Sequence, residues 1–247
     1  MTAIPQIVEI GKPKTTCSAC SLHELCLPSG LSAEDIQSMD QLIELRRPVK
    51  RGDYLYRSGS PLHALYAIRS GFMKSSVLHE DGREQVAGFH MMGDLMGMDA
   101  IGTNQHLCDA VALENTDVCE IPLADLENMS RKIPALQQHF HRVMSREIAR
   151  DYGVMLLLGS MRAEERLAAF LLNLSQRFAL RGYSSTEFHL RMTREEIGSY
   201  LGLKLETVSR TLSHFQAQGL IAVQNKHLHI LKIDNLRELI GQHSCRS

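Results

Sequence analysis

The chain has 247 residues, of which 44% are hydrophobic and 22% charged, and these shares exclude a disordered or fibrous protein and predict two domains. No run of about 18 apolar residues occurs and the first residues lack the basic-then-apolar order of a secretory signal, so we expect a cytoplasmic protein without a membrane span. The formal net charge of −1 conceals an asymmetry, because residues 160–247 hold 12 basic and 8 acidic side chains whereas residues 1–159 hold 15 and 20. The mildly basic C-terminal part is compatible with contacts to phosphate groups.

The first segment, up to about residue 28, is polar and holds half of the six cysteines, which are Cys17, Cys20 and Cys26. A reducing cytoplasm rarely sustains disulfides, so this cluster indicates metal binding or redox chemistry. Three thiols within ten residues need a fourth ligand to complete a zinc or iron–sulfur site. The candidates are Cys108, Cys119 and Cys245, of which Cys245 lies in the polar tail and fits poorly. Spacing alone leaves iron, zinc and unligated thiols all open.

The next residues predict a short helix followed by a β-roll. Ser32, followed by Glu34 and Asp35, marks a helix start, since a hydroxyl caps the first amides and acids favour the first turn. From residue 49 to about residue 122, short apolar runs alternate with glycine-bearing turns at intervals of 7 to 12 residues. This spacing is typical of a small antiparallel sandwich or barrel.

A long helix is predicted from residue 133 to about residue 160, with Pro134 in its first turn. Its main stripe repeats at intervals of three and four residues, as in a coiled coil, and contains two acids. The members of this stripe are Leu136, Phe140, Val143, Glu147, Asp151, Val154 and Leu158. A second apolar line, Met144, Ile148 and Met155, is expected to cover the β-roll, which would leave the main stripe for a second copy of the chain. The alternative is one wide stripe that faces the core of a monomer.

A third unit begins near residue 163 with a helix that ends at Gly182, and residues 193–230 predict a winged helix-turn-helix. Thr193 and Glu196 form a capping box, Gly202 breaks that helix, and a second helix begins near residue 205, before a β-hairpin at 219–230. The exposed face of the second helix carries short or hydrogen-bonding side chains that suit base edges, and two basic residues flank it as expected phosphate contacts. These residues are Glu206, Ser209, Arg210 and Ser213, with Arg194 and Lys204 at the flanks. The alternative is a face that is merely solvated.

Several segments carry a family resemblance: CSACSLHELCLP, LYAIRSGFMKS, EQVAGFHMMGDLMGMDAIG, VCEIP, AEERLAAFLLNLSQRFALRGYS and MTREEIGSYLGLKLETVSRTLSHFQAQGLI. From about residue 16 to residue 229, the chain resembles the FNR/ANR branch of the CRP/FNR transcription regulators. The resemblance implies a DNA-binding homodimer that activates transcription under anaerobic conditions, with a 4Fe-4S cluster that oxygen destroys. It implies that Cys119 is the fourth cluster ligand and that Cys108 is not required. It also implies that Ser21 and Leu25, beside the ligands, tune the access of oxygen.

The same resemblance implies that residues 206, 209 and 210 read half-sites similar to TTGAT in a palindrome. It implies that RNA polymerase contacts the turn at residues 79–84, although Arg83 departs from the less basic character expected there. Cyclic-nucleotide-binding relatives have an Arg-Ser pair in their phosphate cassette where this chain has His106 and Leu107, so no cyclic nucleotide is expected to bind. We expect Asp151 to face its counterpart across a two-fold axis, where like charges would keep the cluster-free protein monomeric.

The expected architecture is α+β, with a jelly roll like that of cyclic-nucleotide-binding domains, a long helix and a winged helix-turn-helix. The predicted units are a cysteine-rich cluster-binding arm (1–30), a β-roll sensory domain (31–132), a dimerisation helix (133–160) and a DNA-binding domain (161–247). No enzymatic activity is expected, because neither a glycine-rich nucleotide loop nor an acid/base pair stands out. An iron–sulfur electron-transfer protein and a small-ligand regulator with structural zinc are the competing interpretations.

Overall fold

The computed structural model describes residues 16–22, 25–26, 29–40, 45–79 and 81–241. In chain order, helix α1 and strands β1 to β8 span Ala33–Met39, Leu45–Val49, Tyr54–Tyr56, Ala64–Ser70, Phe72–Leu78, Glu84–Met91, Leu95–Met96, Asp109–Ala112 and Thr116–Pro122. Helices α2, α3 and α4 span Leu123–Lys132, Pro134–Ser160 and Ala163–Ala179. Strand β9, helices α5 and α6, strands β10 and β11 and helix α7 span Glu187–His189, Arg194–Leu201, Leu205–Ala217, Ile221–Gln224, His227–Ile230 and Ile233–Gly241.

Strands β1 to β8 form two antiparallel four-stranded sheets, ordered β1-β8-β3-β6 and β2-β7-β4-β5. Side chains from both sheets, including Ile68 of the first and Met73 of the second, share one buried cluster. The predicted β-roll is therefore confirmed. The apolar runs that predict the β-roll do not include strands β1 and β6. Strand β1 carries two adjacent arginines, and strand β6 has only two residues.

Gly71 makes the tight connection between β3 and β4 possible. Its φ of +96° is a left-handed conformation that favours glycine. A Cβ atom at this position would lie 2.3 Å from the hydroxyl oxygen of Thr116 and 2.7 Å from the Cα atom of Thr116. The two sheets can therefore approach here only because residue 71 has no side chain.

The long helix α3 begins at Pro134, as the sequence predicts, and two residues separate its end from α4. The guanidinium group of Arg166 bridges this joint. Its Nε and Nη2 donate to the carbonyls of Met161 and Leu158, at 2.9 and 2.8 Å, and its Nη1 donates to the carbonyl of Leu201 at 3.0 Å. One side chain thus fixes the end of α3 against the end of α5.

Helices α4 to α7 and a three-stranded sheet, ordered β10-β11-β9, build the C-terminal unit. Leu171, Val208 and Phe215 lie in its buried core, together with Leu228 of the hairpin. The predicted winged helix-turn-helix is confirmed. Helix α7 follows the hairpin and packs against α4. None of the sequence patterns described above predicts this helix.

The C-terminal unit packs on strand β5 of the roll through shared apolar and charged contacts. The rings of Phe89, Phe170 and Tyr200 pack with centroids 5.2 to 5.9 Å apart. Beside them the ammonium group of Lys74 lies 2.8 Å from a carboxylate oxygen of Glu84 and 3.1 Å from one of Glu196. The β-roll and the C-terminal unit therefore share one continuous core. Within the described ranges, no helix combines the length and the apolar character that crossing a bilayer requires.

Candidate functional site

Four of the cysteines lie together where the N-terminal arm meets the β-roll. Cys17 and Cys119 are buried in one apolar cluster, and Cys26 packs against it. Burial raises the pKa of the Cys17 thiol, and the neighbouring Cys26 and Cys119 raise it further, with smaller contributions from Asp40 and Cys20. Such interactions require proximity. The structure thus brings together the predicted ligands Cys17, Cys20, Cys26 and Cys119.

The arm is held in place by local turns and by a contact with the end of α1. The amide and the hydroxyl of Ser18 donate to the two carboxylate oxygens of Asp40, at 3.1 and 2.6 Å. Turns bring the amide of Cys20 to the carbonyl of Cys17 at 3.1 Å, and the amide of Cys26 to the carbonyl of Leu22 at 3.0 Å. The arm thus lies beside strand β8, where Cys17 and Cys26 pack in one cluster with Cys119.

Helix α3 forms one wall of this cysteine site. Leu136 and Val143 are buried in the same cluster as Cys17 and Cys119, and Phe140 packs against it. His139, on the same side of the helix, is also buried. A change in the arm therefore acts directly on the first half of the long helix.

The four thiols are a donor set that fits both of the metal chemistries that the spacing leaves open. Four thiolates hold a structural zinc ion in many proteins, and four thiolates are also the usual ligands of a 4Fe-4S cluster, in which each binds a different iron. In the part of the chain that the structure describes, no three Cys, His, Asp or Glu side chains form a group that could hold one metal ion.

Cys108 lies in a different environment from the other four described cysteines. It packs on the core between the two sheets, and its thiol lies 3.5 Å from a carboxylate oxygen of Asp99. Burial and then Asp99 raise the pKa of this thiol to about 12, so it stays protonated. Cys245 lies outside the described residues. Ser21 is exposed, whereas Leu25 is half-buried.

Helices α5 and α6 form the predicted recognition unit. The hydroxyl of Thr193 accepts from the amide of Glu196 at 3.1 Å, and the carboxylate of Glu196 accepts from the amide of Thr193 at 2.7 Å, which confirms the capping box. Gly202 ends α5 in a left-handed conformation. A Cβ atom on Gly198 would lie 2.6 Å from the carbonyl oxygen of Leu203, so this glycine lets the turn fold back against α5. Gly198 is not among the residues predicted above, although a glycine inside a predicted helix is a recognisable signal.

The outer face of α6 presents the predicted base-reading residues. Val208 and Phe215 point into the core, whereas Glu206, Arg210 and Ser213 are exposed. Ser209 is half-buried and accepts a hydrogen bond from Arg194 at 3.3 Å. Lys204 is exposed at the N-cap of the helix. Leu205, in the first turn of the helix, is 44% exposed, and the side chains that follow it on this face are polar or charged and can approach the edges of bases.

One polar contact that the sequence does not reveal fixes α5 against the roll. The hydroxyl of Ser199 accepts from the amide of Val86 at 2.8 Å and donates to the carbonyl of Glu84 at 3.0 Å. This places the hairpin turn at residues 79–84 beside the start of α6. In that turn, Arg83 is exposed and forms an ion pair with Asp81 at 2.6 Å.

The two predicted lines of α3 are covered to different degrees within the chain. In the main stripe, Val143 is buried and Phe140 is half-buried in the cluster beside the arm, whereas Asp151 is exposed. In the second line, expected to cover the roll, Met144 is half-buried and lines a cavity against the roll together with Ile148. Ile148 and Met155 are 54% and 60% exposed. The remaining members of the main stripe, Glu147, Val154 and Leu158, are half-buried.

A cavity of about 450 Å³ lies between the roll and α3. Its lining includes Ser75 and His90, whose side chains are joined by a 2.9 Å hydrogen bond. Burial, and then Arg150, lower the pKa of His90 to about 3, so its ring is neutral. His106 is buried with its ring stacked on Tyr56 at 3.7 Å, while Leu107 is exposed at the rim.

Two protein-family models match the chain: the cyclic nucleotide-binding domain over residues 46–132 and the Crp-like helix-turn-helix domain over residues 165–239. The chain is 47% identical over 229 residues to the transcriptional regulatory protein btr of Bordetella pertussis, covering 93% of this chain and 95% of that protein. It is 48% identical over 225 residues to the fumarate and nitrate reduction regulatory protein of Escherichia coli strain K12, covering 91% and 90%. The solved structure of FixK2 from Bradyrhizobium japonicum is similar, with a TM-score of 0.73 and 29% identity, covering 79% of this chain and 96% of that one.

Proposed function

Because the chain belongs to the CRP/FNR family of transcription regulators and is not an enzyme, we propose that it is an oxygen-responsive member that acts under anaerobic conditions. The observation that carries this proposal is the gathering of four thiols between the arm and strand β8, where Cys17 interacts with the other three. The similarity to fumarate and nitrate reduction regulators supports it. We place the functional units at the arm (1–30), the β-roll (31–132), the long helix (133–160) and the DNA-binding domain (161–247).

Cys17, Cys20, Cys26 and Cys119 would hold a 4Fe-4S cluster in this site. The chemistry that such a cluster supplies is reaction with oxygen, which destroys it and so reports on the oxygen supply. The residues of the chain bind and shield it: three thiols from the arm and one from β8 tie these two parts together. Half-buried Leu25 and exposed Ser21 flank the arm ligands and would control how oxygen reaches them.

The exposed strip of α3 is the surface that we propose for a second copy of the chain. Of the predicted dimerisation residues, Glu147, Val154 and Leu158 are half-buried and Asp151 is exposed, and Met155 adds an exposed apolar side chain about one turn beyond Asp151. Two aspartates facing each other across a two-fold axis would repel, so dimerisation needs the extra stabilisation that an ordered arm gives to α3. This explains how a single acid can keep the cluster-free protein monomeric. The half-buried Phe140 and buried Val143 would then stabilise α3 within each copy rather than between copies.

A dimer would place two α6 helices on adjacent turns of the same DNA face, so it would read a palindrome, for which the family resemblance implies TTGAT-like half-sites. Arg210 would bind guanine in bidentate fashion, Glu206 would accept from the amino group of cytosine, and Ser209 would lie near thymine, with Ser213 as an additional contact. Arg194 and Lys204 would neutralise phosphates, which fits the basic C-terminal part of the chain.

Two further partners to consider are RNA polymerase, at the turn of residues 79–84, and a cyclic nucleotide, in the cavity beside α3. The exposed turn at 79–84 would contact RNA polymerase, with Arg83 neutralised by Asp81. The cavity beside α3 would not take a cyclic nucleotide, because His106 is stacked beneath Tyr56 and Leu107 offers no hydrogen bond, so neither replaces the cation and hydroxyl that hold a cyclic phosphate. The chain would thus act in the cytoplasm as an oxygen sensor rather than as a sensor of cyclic AMP.

The proposal is tested by purifying the protein without oxygen and measuring its iron, sulfide and zinc contents and its visible absorbance. We expect about four iron and four sulfide per chain, with a brown colour that fades in air together with DNA binding. Colourless protein that contains zinc and is unchanged by air would refute the proposal.

Two serine substitutions form a matched pair, because each removes one thiol from the same β-roll. Cys119→Ser removes a proposed ligand, so anaerobic iron content should fall to less than a tenth of the wild-type value. Cys108→Ser removes a similarly sized thiol that interacts with Asp99, and its iron content should equal that of the wild type. Equal iron contents in the two variants would contradict the assignment of Cys119.

A further inference from the structure

The turn between β5 and β6 carries an acid that is almost completely enclosed by charged partners. The side chain of Asp94 is only 12% exposed. Its Oδ1 accepts from Nη2 of Arg181 at 2.6 Å, and its Oδ2 accepts from the amide of Met91 at 2.8 Å and from Nη2 of Arg177. Burial alone would raise the pKa of Asp94, but the two guanidinium groups lower it, so the carboxylate stays ionised.

Both arginines belong to the DNA-binding unit, and both also bind the backbone of the roll. Arg177 is in the last turn of α4, and Arg181 follows the end of that helix. Arg177 donates to the carbonyl of Phe89 at 2.9 Å, and Nε of Arg181 donates to the carbonyl of Met92. Their side chains are 14% and 7% exposed. The end of α4 is therefore attached to the segment from residue 89 to residue 94 by several charged hydrogen bonds.

The same turn lies beside the cysteine arm. Gly93 has a φ of +87°, and a Cβ atom built on it would lie 3.0 Å from the Cβ atom of Leu25 and 3.9 Å from Nη2 of Arg181. Leu25 immediately precedes Cys26 in the arm. The space next to this glycine is thus bordered by the arm and by the DNA-binding unit.

The turn is also joined to the strand that pairs with Cys119. The amide of Gly93 donates to the carbonyl of Ile68 at 2.8 Å, and the amide of Ile68 donates to the carbonyl of Asp94 at 3.0 Å. Ala67, the neighbour of Ile68, is paired with Cys119 in the sheet. The turn therefore contacts both of the elements that bring the four thiols together.

We propose that the Gly93–Asp94 turn couples the cysteine arm to the DNA-binding unit, and that Asp94 is a positioning residue that sets the orientation of α4. The arm side of this coupling rests on the proposed function. A buried carboxylate shared by two guanidinium groups is sensitive to geometry, because hydrogen bonds weaken steeply with misalignment and an unpaired buried charge is costly. When Leu25 moves with the arm, the turn shifts and the end of α4 loses its fixed position. This path runs beside the dimer helix and does not require dimerisation.

The first test uses the full chain purified without iron and is independent of the cluster. Hydrogen exchange of the amides at residues 176–182 is compared in the wild type, Leu25→Ala, Asp94→Asn and the double variant. Leu25→Ala should accelerate exchange at least threefold in the wild-type background and have no further effect with Asp94→Asn. Leu22→Ala, which truncates an arm leucine that is not among the nearest neighbours of Gly93, should leave these amides unchanged. Independent effects of the two substitutions would overturn the proposal.

The second test measures DNA binding and oligomeric state in anaerobic protein loaded with iron and sulfide. Asp94→Asn should remain dimeric by sedimentation but bind the palindrome at least fivefold more weakly than the wild type. If Asp94→Asn folds poorly, Arg181→Lys takes its place in this test. It keeps the charge but loses the forked geometry of the guanidinium group, so it should also weaken binding to the palindrome. Asp81→Asn, which removes the acid of an exposed Asp-Arg pair on the same roll, is the control and should bind as the wild type does.

The two tests separate this proposal from the proposed function. Coupled exchange in a chain that takes up no iron would support the relay and refute the cluster. Iron uptake and dimerisation with wild-type DNA affinity in both Asp94→Asn and Arg181→Lys would support the cluster and refute the relay.

Discussion

Substituting Lys74 with Met tests how strongly the charged contacts join the DNA-binding unit to the β-roll. The ammonium group is buried, with its side chain 11% exposed, and it lies 2.8 Å from Glu84 and 3.1 Å from Glu196. At an effective dielectric constant of about 20, a pair of charges 3 Å apart attracts by roughly 5 kcal/mol before desolvation is subtracted. Methionine keeps most of the volume but leaves the two carboxylates facing each other without a cation.

Removing one member of a buried ion pair costs about 3–5 kcal/mol. Glu84 is about half exposed and regains water, so we expect Lys74→Met to lower the free energy of unfolding by about 2–3 kcal/mol. The assay is equilibrium unfolding in urea at pH 7.5, followed by far-UV circular dichroism on cluster-free protein. Arg83→Met, which removes the cation of an exposed ion pair, is the control and should not change the midpoint measurably. A loss below about 0.5 kcal/mol for Lys74→Met would refute the reasoning.

The cost of Lys74→Met should also depend on pH. Burial would lower the pKa of Lys74, but the two carboxylates outweigh it and raise this pKa above its ordinary 10.5. The stability that the charge of Lys74 contributes is therefore complete below pH 10.5 and is lost as pH rises through the folded-state pKa. Burial would raise the pKa of Glu84, but the hydrogen bond from Lys74 outweighs it and lowers this pKa below 4.5, so that contribution is lost as pH falls through the folded-state value. The cost should therefore be largest between about pH 4.5 and 10.5.

Three further outcomes are expected. Gly71→Ala should lower the free energy of unfolding by more than about 3 kcal/mol in urea titrations, because the new methyl group meets the backbone of Thr116, whereas Gly59→Ala, with open space around it, should cost only about 1 kcal/mol. Asp151→Ala should tighten dimerisation of the aerobic protein at least tenfold in sedimentation, because the repulsion across the two-fold axis is removed; an aerobic variant that is still monomeric contradicts this idea. Arg210→Ala should weaken palindrome binding by about 1–3 kcal/mol and relax selectivity at one base pair, as gel-shift titrations with single-base variants would reveal. A uniform loss across all sequences would instead assign Arg210 to a phosphate.

The sequence predicts most of the architecture because its signals are local. Turn glycines outline the β-roll, and the capping box formed by Thr193 and Glu196 marks the recognition unit. The fourth cysteine is different, since the pairing of Cys119 with strand β3 is a long-range contact that spacing cannot reveal, and only the family resemblance distinguishes it from Cys108.

The side of α3 that faces outward is likewise beyond sequence periodicity. Apolar residues occur on two adjacent lines, and burial depends on which of them the arm and the roll cover. Val143 is buried although the stripe predicts it at a dimer interface, while Ile148 is exposed. Asp94 is overlooked for the same reason, because both arginines that enclose it are more than 80 residues away in the chain.

The guanidinium group of Arg166 has a consequence for building hybrid regulators. It joins the carbonyls at the end of the long helix to the carbonyl that ends α5, across a connection of only two residues. That connection is therefore a rigid joint, and a rotation of the long helix would also rotate the C-terminal unit. A hybrid that grafts a foreign DNA-binding domain after residue 160 would respond to the sensory part only if the donor brings an arginine at this place, since lysine cannot span three carbonyls with one planar group. A junction at the boundary between α3 and α4 should therefore keep Arg166 together with the carbonyls of Leu158, Met161 and Leu201.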